Sequence, residues 1–365
     1  MTPRTVLIAG GGTGGHLMPA LAVAESLRRA RPEWRVVLVG AQRGVEATLL
    51  PARNFPFELL PVEPIYRHQW WKNLRWPWLA VRIYRHVARL LDRERPALVL
   101  GTGGYAAGPV VWLAARRGIP TAILEQDAYP GLVSRWLAGT VREVYLGAPE
   151  AAAALRPGRH TVVVVTGSPI AVPDPERRAD AARHFGLEPG RPVVLILGGS
   201  QGSVAINDLV AQWIDAGGAD RLTLIWATGR ASVERFRPHH RPPRVHVVDF
   251  LDPVADGYAV ADLVVARAGM MTLAELAAWG LPSILIPLPT AAADHQTKNA
   301  RVMGAAGAAR VLPQAGLNAE TLGGAIASLL ADVAGLNRMR EAARARGRPG
   351  AVADITARVE ALIGP

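Results

Sequence analysis

A glycine-rich segment reading GGGTGGH occupies Gly10 to His16, directly after the first apolar run of the sequence. It fits the pattern G-x-G-x-x-G between a strand and a helix, which is typical of dinucleotide binding. Such a site also needs an acidic residue about 20 positions further on, where the second strand ends, and Val39 to Arg43 contain none. An NAD site, a turn without a ligand and a loop whose bare amides bind an anion remain open, and we favour the last. His16 is either a helix-start residue or a base.

A second glycine-rich segment, GGSQGS at Gly198 to Ser203, repeats this arrangement. Backbone amides and the Ser200 hydroxyl at the start of a helix suit a diphosphate. The alternative is a turn whose hydrogen bonds are satisfied internally. The segment lacks the lysine that a P-loop requires, which excludes a P-loop kinase or ATPase.

Two later segments carry polar groups that suit a nucleotide sugar. ARAGMMTLAE places Glu275 about one turn inside a predicted helix, where a carboxylate could bind ribose. The alternative, a solvated carboxylate, conflicts with the apolar run LAELAAWGLP, since an unpaired buried acid is costly. DHQTKNA at Asp294 to Ala300 concentrates donors and acceptors for sugar hydroxyls, and by itself also fits a helix start.

Short β-branched runs alternate with alanine-rich stretches, a pattern typical of parallel sheets with helical crossovers in an α/β fold. The runs are TVLIAG, WRVVLVG, PALVLG, PTAILEQ, RPVVLILGG, LTLIWATG, RVHVVDF, ADLVVARAG and LPSILIPL. The series restarts at Val193 after TVVVVTGSPIAVPDP, so we expect two Rossmann-like domains, residues 1–166 and 167–350, with a helix at about 351–365 packing back on the first. Ligands bind beyond the carboxyl ends of such strands, and we expect the glycine-rich turns to line a cleft between the domains.

Length and composition agree with this organisation. The chain has 365 residues, enough for two cores. Lysine and arginine number 41 against 30 for aspartate and glutamate, and the charge of +11 favours nucleic acid, a phosphorylated metabolite or an acidic membrane as partner. Cysteine is absent, which excludes disulfides, thiolate nucleophiles and cysteine-bound metals. Without a signal peptide or a run of about 18 apolar residues, we expect a soluble or peripheral cytoplasmic protein.

Four of the ten tryptophans fall between Tyr66 and Trp78. Basic residues lie among them, and their burial would be costly because the next acidic residue is Asp92. Interleaved aromatic and basic residues on an exposed loop are typical of a peripheral membrane anchor, with burial in a core as the alternative. The residues that we expect to bind an anionic membrane are Trp70, Trp71, Lys72, Arg75, Trp76 and Trp78.

Six segments, taken in order, resemble the signature of the MurG family of N-acetylglucosaminyltransferases. They are GGGTGGHLMPALAVAESL, LGTGGYAAGPV, EQDAYPG, LGGSQGS, ARAGMMTLAELAAWGLPSILIPLP and ADHQTKNA. The resemblance implies a GT-B fold and an inverting enzyme that moves N-acetylglucosamine (GlcNAc) from UDP-GlcNAc to the muramyl 4-hydroxyl of lipid I, forming lipid II. It implies no cofactor or metal, a location at the cytoplasmic face of the membrane, and other cell-wall synthesis proteins rather than nucleic acid as partners.

The resemblance also assigns residues to roles. It implies that UDP-GlcNAc binds to Thr13, Gly14, Gly15, Ser200, Gln201, Gly202, Leu251, Arg267, Met270, Met271, Thr272, Glu275, His295 and Gln296. Lipid I would contact Gly14, His16, Gly103, Gly104, Tyr105 and Asp127. The base that takes the proton of the acceptor hydroxyl must lie within hydrogen-bond reach of it, which leaves His16, Asp127 and Glu125.

The chain departs from the family pattern in three places, which are Leu124 to Asp127, the linker at Ser168 to Ala171 and the tryptophan-rich segment. Where the family reads H-E-Q-N, this sequence has LEQD, ending in Asp127, so an amide donor is replaced by an acid. Where the linker reads N-P-x-R, this sequence has SPIA, and Ala171 replaces the arginine. Arg267 is then the main remaining cation for the leaving phosphates.

Other classes of function remain open alternatives at this point. Within the same superfamily they are a glycolipid glycosyltransferase and a UDP-GlcNAc 2-epimerase. Outside it they are an NAD(P)-dependent oxidoreductase and a nucleic-acid-binding protein, and the latter would lose affinity steeply with salt.

Overall fold

The computed structural model describes residues 4–44, 46–63, 75–199 and 201–364. They divide into two compact units. The first comprises Met1–Ala171 with Gly350–Pro365, and the second comprises Val172–Pro349. Each unit is a parallel sheet covered by helices.

The first unit contains a seven-stranded parallel sheet. Its strands are β1 (Thr5–Gly10), β2 (Arg35–Ala41), β3 (Phe57–Leu60), β4 (Leu98–Gly103), β5 (Thr121–Glu125), β6 (Glu143–Leu146) and β7 (Val162–Val165). Its helices are α1 (Gly14–Ala30), α2 (Glu46–Leu49), α3 (Trp76–Glu94), α4 (Gly104–Arg116) and α5 (Leu132–Leu137). The strand order is β3-β2-β1-β4-β5-β6-β7, so the direction of winding reverses between β1 and β4.

The second unit contains a six-stranded parallel sheet in the order β10-β9-β8-β11-β12-β13. Its strands are β8 (Val193–Leu197), β9 (Thr223–Ala227), β10 (Val245–Val248), β11 (Leu263–Ala266), β12 (Ser283–Leu285) and β13 (Ala309–Val311). Its helices are α6 (Arg177–His184), α7 (Val204–Asp215), α8 (Val233–Phe236), α9 (Val254–Val260), α10 (Met270–Trp279), α11 (His295–Ala305), α12 (Ala319–Ala331) and α13 (Val333–Arg346).

The central strands contain continuous apolar runs because helices cover both faces of each sheet. Val6 to Ala9 in β1 and Val194 to Ile196 in β8 have no exposed surface. All nine runs identified in the sequence form strands, which confirms the predicted α/β fold. The run TVVVV, which the sequence analysis placed at the boundary between domains, forms the edge strand β7.

The last helix, α14 (Ala351–Ile363), packs on the first unit. Ile355 and Val359 are fully buried in the same core as α1. Arg358 binds the carboxylate of Glu143, on β6, through Nε at 2.7 Å and Nη2 at 2.9 Å. A bidentate pair of this kind fixes both the position and the rotation of the helix.

Replacing Arg358 by alanine should therefore lower the free energy of unfolding by about 2 kcal/mol. Glu143 is buried and would lose its partner, while a third of the Arg358 side chain is exposed, so the loss falls below that of a fully buried pair. Chemical denaturation measures the change. Arg29→Ala, at an exposed position on α1, is the matched control, and equal stability of the two variants would contradict the expectation.

Among the residues that the structure describes, no single helix is both long and apolar enough to cross a membrane. One pair of helices, Ala319–Ala331 and Val333–Ile363, satisfies the criteria of length and composition jointly, with a bend of 93° at the break between them.

Candidate functional site

The glycine-rich loop of the second unit joins β8 to the start of α7. Gly199 and Gly202 have φ values of +91° and +77°, which favour glycine. A Cβ on Gly202 would lie 2.1 Å from the carbonyl oxygen of Thr228, so the loop must pass this close to the end of β9. Gln201 is exposed at this turn. Ser200, a predicted diphosphate contact, lies outside the described residues.

Arg267 follows β11 and supports the same loop. Its Nη2 donates to Ser203 Oγ at 2.6 Å and to Gln314 Oε1 at 2.7 Å, and its Nη1 donates to two backbone carbonyls. Ser203 is the N-cap of α7. All four acceptors are neutral, and burial lowers the pKa of Arg267. A buried cation without an acidic partner among the described residues favours an anion nearby.

Helix α10 carries the predicted ribose and sugar contacts. Met270, Met271 and Thr272 form its first turn and are partly exposed. Glu275 lies on the next turn, and its Oε2 accepts a hydrogen bond of 2.7 Å from the hydroxyl of Tyr258. Burial raises the pKa of Glu275, and the bond from Tyr258 opposes that rise. Tyr258, which lies on α9, was not among the predicted site residues.

The segment before α11 has an unusual backbone. Ala293 and Asp294 both have φ of +54°, a left-handed conformation that costs a non-glycine residue about 1 kcal/mol. His295 Nδ1 lies 2.7 Å from the carbonyl oxygen of Ala292. The Gln296 side-chain oxygen accepts from the backbone N–H of Leu288, which leaves its amide N–H groups as donors.

Leu251 follows β10 and is 8% exposed. Its side chain packs on α9, where a Cβ on Gly257 would lie 3.1 Å from Leu251 Cδ1. Leu251, a predicted donor contact, and the tyrosine that binds Glu275 therefore belong to one packed segment.

In the first unit, a buried carboxylate holds the loop between β1 and α1. Oε1 of Glu46 accepts from the N–H groups of Gly12, at 2.5 Å, and Ala41, at 3.2 Å. Glu46 has no exposed surface. No acid follows β2 directly, and this one, which was not predicted, lies five positions beyond the end of the strand. Its carboxylate accepts from the loop itself, which differs from the ribose contact of an NAD site.

His16 lies in the first turn of α1 and packs on the loop that follows β4. A Cβ on Gly103 would lie 2.5 Å from His16 Nδ1, and Gly103 has φ of +102°, so both space and backbone require glycine. Gly104, with φ of +77°, is equally constrained. A Cβ on Gly12 would likewise lie 2.5 Å from the ring of Tyr105, so the tyrosine packs directly on this glycine. The structure thus brings these predicted acceptor contacts together, while Thr13 and Gly15 are exposed beside them.

The loop after β5 carries the two candidate acids. Glu125 is 5% exposed, and its oxygens accept from the N–H groups of Asp127, at 3.0 Å, and Gly131, at 2.9 Å. Burial raises the pKa of Glu125, and the neighbouring Asp127 charge adds to the rise. Asp127 is partly exposed. Glu125 therefore fixes the loop, and Asp127 is the acid with access to a ligand.

The predicted membrane segment is described only from Arg75 onward; Trp70, Trp71 and Lys72 lie outside the described residues. Trp78 is 83% exposed at the start of α3, whereas Trp76 is partly buried. The expectation that no acid lies near the basic residues was wrong, because Arg75 forms an ion pair with Glu63. Glu63 precedes the segment in the sequence, whereas Asp92 is the first acid that follows it.

Ala171, which replaces the family's linker arginine, is exposed at the end of the first unit. Within the described part of the chain, no group of three or more histidine, aspartate or glutamate side chains could hold a metal ion.

Comparison with known proteins places this fold and these loops in a class. Residues 6–146 match the model of the glycosyltransferase family 28 N-terminal domain, and residues 193–355 match that of the C-terminal domain. The fold and the site thus define a glycosyltransferase of the GT-B class. The chain belongs to glycosyltransferase family 28, and within it to the MurG family.

Sequence relatives span nearly the whole chain. A protein of Prosthecochloris aestuarii is 38% identical over 362 residues, covering 98% of each chain. One of Halorhodospira halophila is 41% identical over 354 residues, covering 96% of each. Both are named UDP-N-acetylglucosamine–N-acetylmuramyl-(pentapeptide) pyrophosphoryl-undecaprenol N-acetylglucosamine transferase.

Solved structures agree with this assignment. MurG of Acinetobacter baumannii is 27% identical, with a TM-score of 0.77 over 98% of this chain and 99% of its own. The calicheamicin glycosyltransferase CalG4 is 18% identical, with a TM-score of 0.70 over 100% of this chain and 99% of its own, and shows the fold alone.

Proposed function

We propose that this glycosyltransferase moves GlcNAc from UDP-GlcNAc to the 4-hydroxyl of the muramyl sugar of lipid I, forming lipid II for peptidoglycan synthesis. The observation that carries the proposal is the identity of 37–41% with enzymes of that name over 95% or more of this chain. The loops at the carboxyl ends of both sheets are consistent with it, because ligands of open α/β sheets bind there.

The donor contacts proposed here all lie in the second unit, apart from Thr13, Gly14 and Gly15. The amides around Ser200, Gln201 and Gly202 bind the diphosphate at the start of α7, where the helix dipole favours an anion. Arg267 compensates the phosphate charge while holding the N-cap residue Ser203. Glu275 accepts from ribose, and the backbone at Leu251 binds uracil. GlcNAc contacts Met270, Met271, His295 and Gln296, and Thr272 is a further donor contact.

The reaction proposed is a displacement at the anomeric carbon with inversion. The acceptor hydroxyl attacks as a base removes its proton, the bond to UDP breaks, and negative charge grows on the diphosphate. Amides fixed before the reaction stabilise that charge without reorganisation. His16 is the proposed base, and Asp127 is the alternative. We propose that no cofactor or divalent cation is required.

Transfer of labelled GlcNAc from UDP-GlcNAc to a lipid I analogue tests the function. We expect equal rates with and without a chelator. Formation of the 2-epimer of UDP-GlcNAc in the absence of acceptor would instead indicate an epimerase, and transfer only to another lipid would indicate a glycolipid enzyme.

We also propose that the first unit docks on the anionic cytoplasmic face of the cell membrane, as a peripheral protein beside other cell-wall synthesis proteins. Exposed apolar side chains on α3 (Trp78, Val81 and Tyr84) lie among the exposed basic residues Arg82, Arg85 and Arg89. On α5, Leu132 is 64% and Trp136 55% exposed. Helix α4 packs against both α3 and α5. Indoles at the headgroup level and arginines near anionic lipid both favour binding.

Replacing Trp70, Trp71, Trp76 and Trp78 by serine should abolish sedimentation with anionic liposomes and leave UDP affinity unchanged. Each arginine near the surface contributes only about 1 kcal/mol, so the aromatic side chains are needed for stable binding. Val333→Ser, which removes an exposed apolar side chain from the second unit, is the control. Parental sedimentation of the quadruple variant, or its unfolding, would contradict the proposal.

A further inference from the structure

The contact between Tyr258 and Glu275 joins two helices that neither sequence spacing nor the family resemblance connects. Tyr258 is 3% exposed, and its hydroxyl donates to Glu275 Oε2 at 2.7 Å. Its ring packs near the indole of Trp279, with centroids 6.3 Å apart. The tyrosine is therefore held by packing, and its hydroxyl has a defined direction.

The same carboxylate has capacity left for a ligand. Among the described residues, no donor other than Tyr258 contacts Glu275. An ionised carboxylate offers about four lone-pair positions, so one bond from Tyr258 leaves Oε1 and part of Oε2 open. A hydrogen bond to one oxygen restricts the rotation of the carboxylate and favours its ionised form.

Helix α9 also links the two halves of the proposed nucleoside site. It begins three residues after Leu251, whose side chain packs on Gly257, the residue before Tyr258. A displacement of α9 would therefore move both the proposed uracil contact and the group that orients Glu275.

We propose that Tyr258 is a positioning residue for ribose recognition, because its hydroxyl fixes the Glu275 carboxylate in the orientation that accepts from the ribose hydroxyls. The inference rests on the proposed role of Glu275 in the donor site. Tyr258 itself does not touch the donor. Loss of the Tyr258 hydroxyl weakens binding of a nucleoside diphosphate only when the ribose carries the hydroxyls that hydrogen-bond to Glu275.

Calorimetry with UDP and with 2′,3′-dideoxy-UDP tests the proposal on the parent, Tyr258→Phe, Glu275→Gln and the double variant. The phenylalanine keeps the ring and its packing. We expect Tyr258→Phe to weaken UDP binding about tenfold, since it acts on a hydrogen bond to a charged group, and to change the affinity for the dideoxy ligand less than twofold. The double variant should bind UDP no more weakly than Glu275→Gln alone.

The outcomes separate this proposal from the proposed function. Equal weakening of both ligands by Tyr258→Phe would indicate a purely structural tyrosine and overturn the inference, as would parental affinity for UDP. Equal affinity of the parent protein for UDP and for 2′,3′-dideoxy-UDP would overturn the role of Glu275 as well. Tyr145→Phe, at a fully buried tyrosine of the first unit, is the matched control and should leave both affinities unchanged.

Discussion

Replacing His16 by alanine should lower kcat by about 10² to 10⁴-fold, with little change in the affinity for UDP. The ring lies against Gly103 and Gly104, in the loop where the lipid acceptor is proposed to bind, so its loss removes the base and leaves the donor contacts of the second unit in place. A neutral imidazole is matched to proton removal near pH 7. The plot of kcat against pH should accordingly no longer show a fall in rate on the acid side for this variant.

Asp127→Asn is the comparison that decides between the two candidate bases. Asp127 is the partly exposed acid of the β5 loop, whereas both oxygens of Glu125 accept backbone N–H groups. The assignment would be reversed if Asp127→Asn lowered kcat and removed its fall at low pH, while His16→Ala retained both the parental kcat and that fall.

Replacing Glu275 by alanine should cost about 2 to 4 kcal/mol of donor recognition, measured as UDP affinity by calorimetry. Among the residues that the structure describes, the carboxylate accepts one hydrogen bond, from Tyr258, and its remaining lone pairs are available for the ribose. The variant should still fold, because Leu273 and Leu276 form the buried apolar side of α10 and are unchanged.

Glu234→Ala provides the control for this measurement. Glu234 is an exposed glutamate of the same unit whose partner is Arg237 on the neighbouring turn. Its removal should leave UDP affinity unchanged. Equal affinities of Glu275→Ala and the parent would exclude the ribose assignment.

The fold was predictable because each central strand contains a continuous apolar run and is followed by glycine or a polar turn. The strands that the sequence analysis missed are short and lie toward the sheet edges, as with β3 and β13. These two strands are only four and three residues long, each is interrupted by a charged residue (Glu58 or Arg310), and Phe57 in β3 is 40% exposed. Such segments give a weak signal, since one face contributes little to the core.

The glycine-rich and polar loops of the proposed site were equally visible in the sequence, but the groups that orient them were not. Glu46 reaches Gly12 across 34 positions, and Tyr258 reaches Glu275 across 17. Both contacts arise from the order of strands and helices around each sheet rather than from local spacing. Arg267 shows the same limit, because its contacts with Ser203 and Gln314 depend on where β11 lies between β8 and β12.

The central claim, transfer of GlcNAc to the muramyl 4-hydroxyl with inversion, is tested most directly by the structure of the product. Purified protein would be incubated with UDP-GlcNAc and a lipid I analogue, and the disaccharide linkage would be determined by NMR. We predict a single β-linkage at the 4-position, formed in step with release of UDP. An α-linkage, attachment at another hydroxyl, or UDP release without a disaccharide would contradict the account.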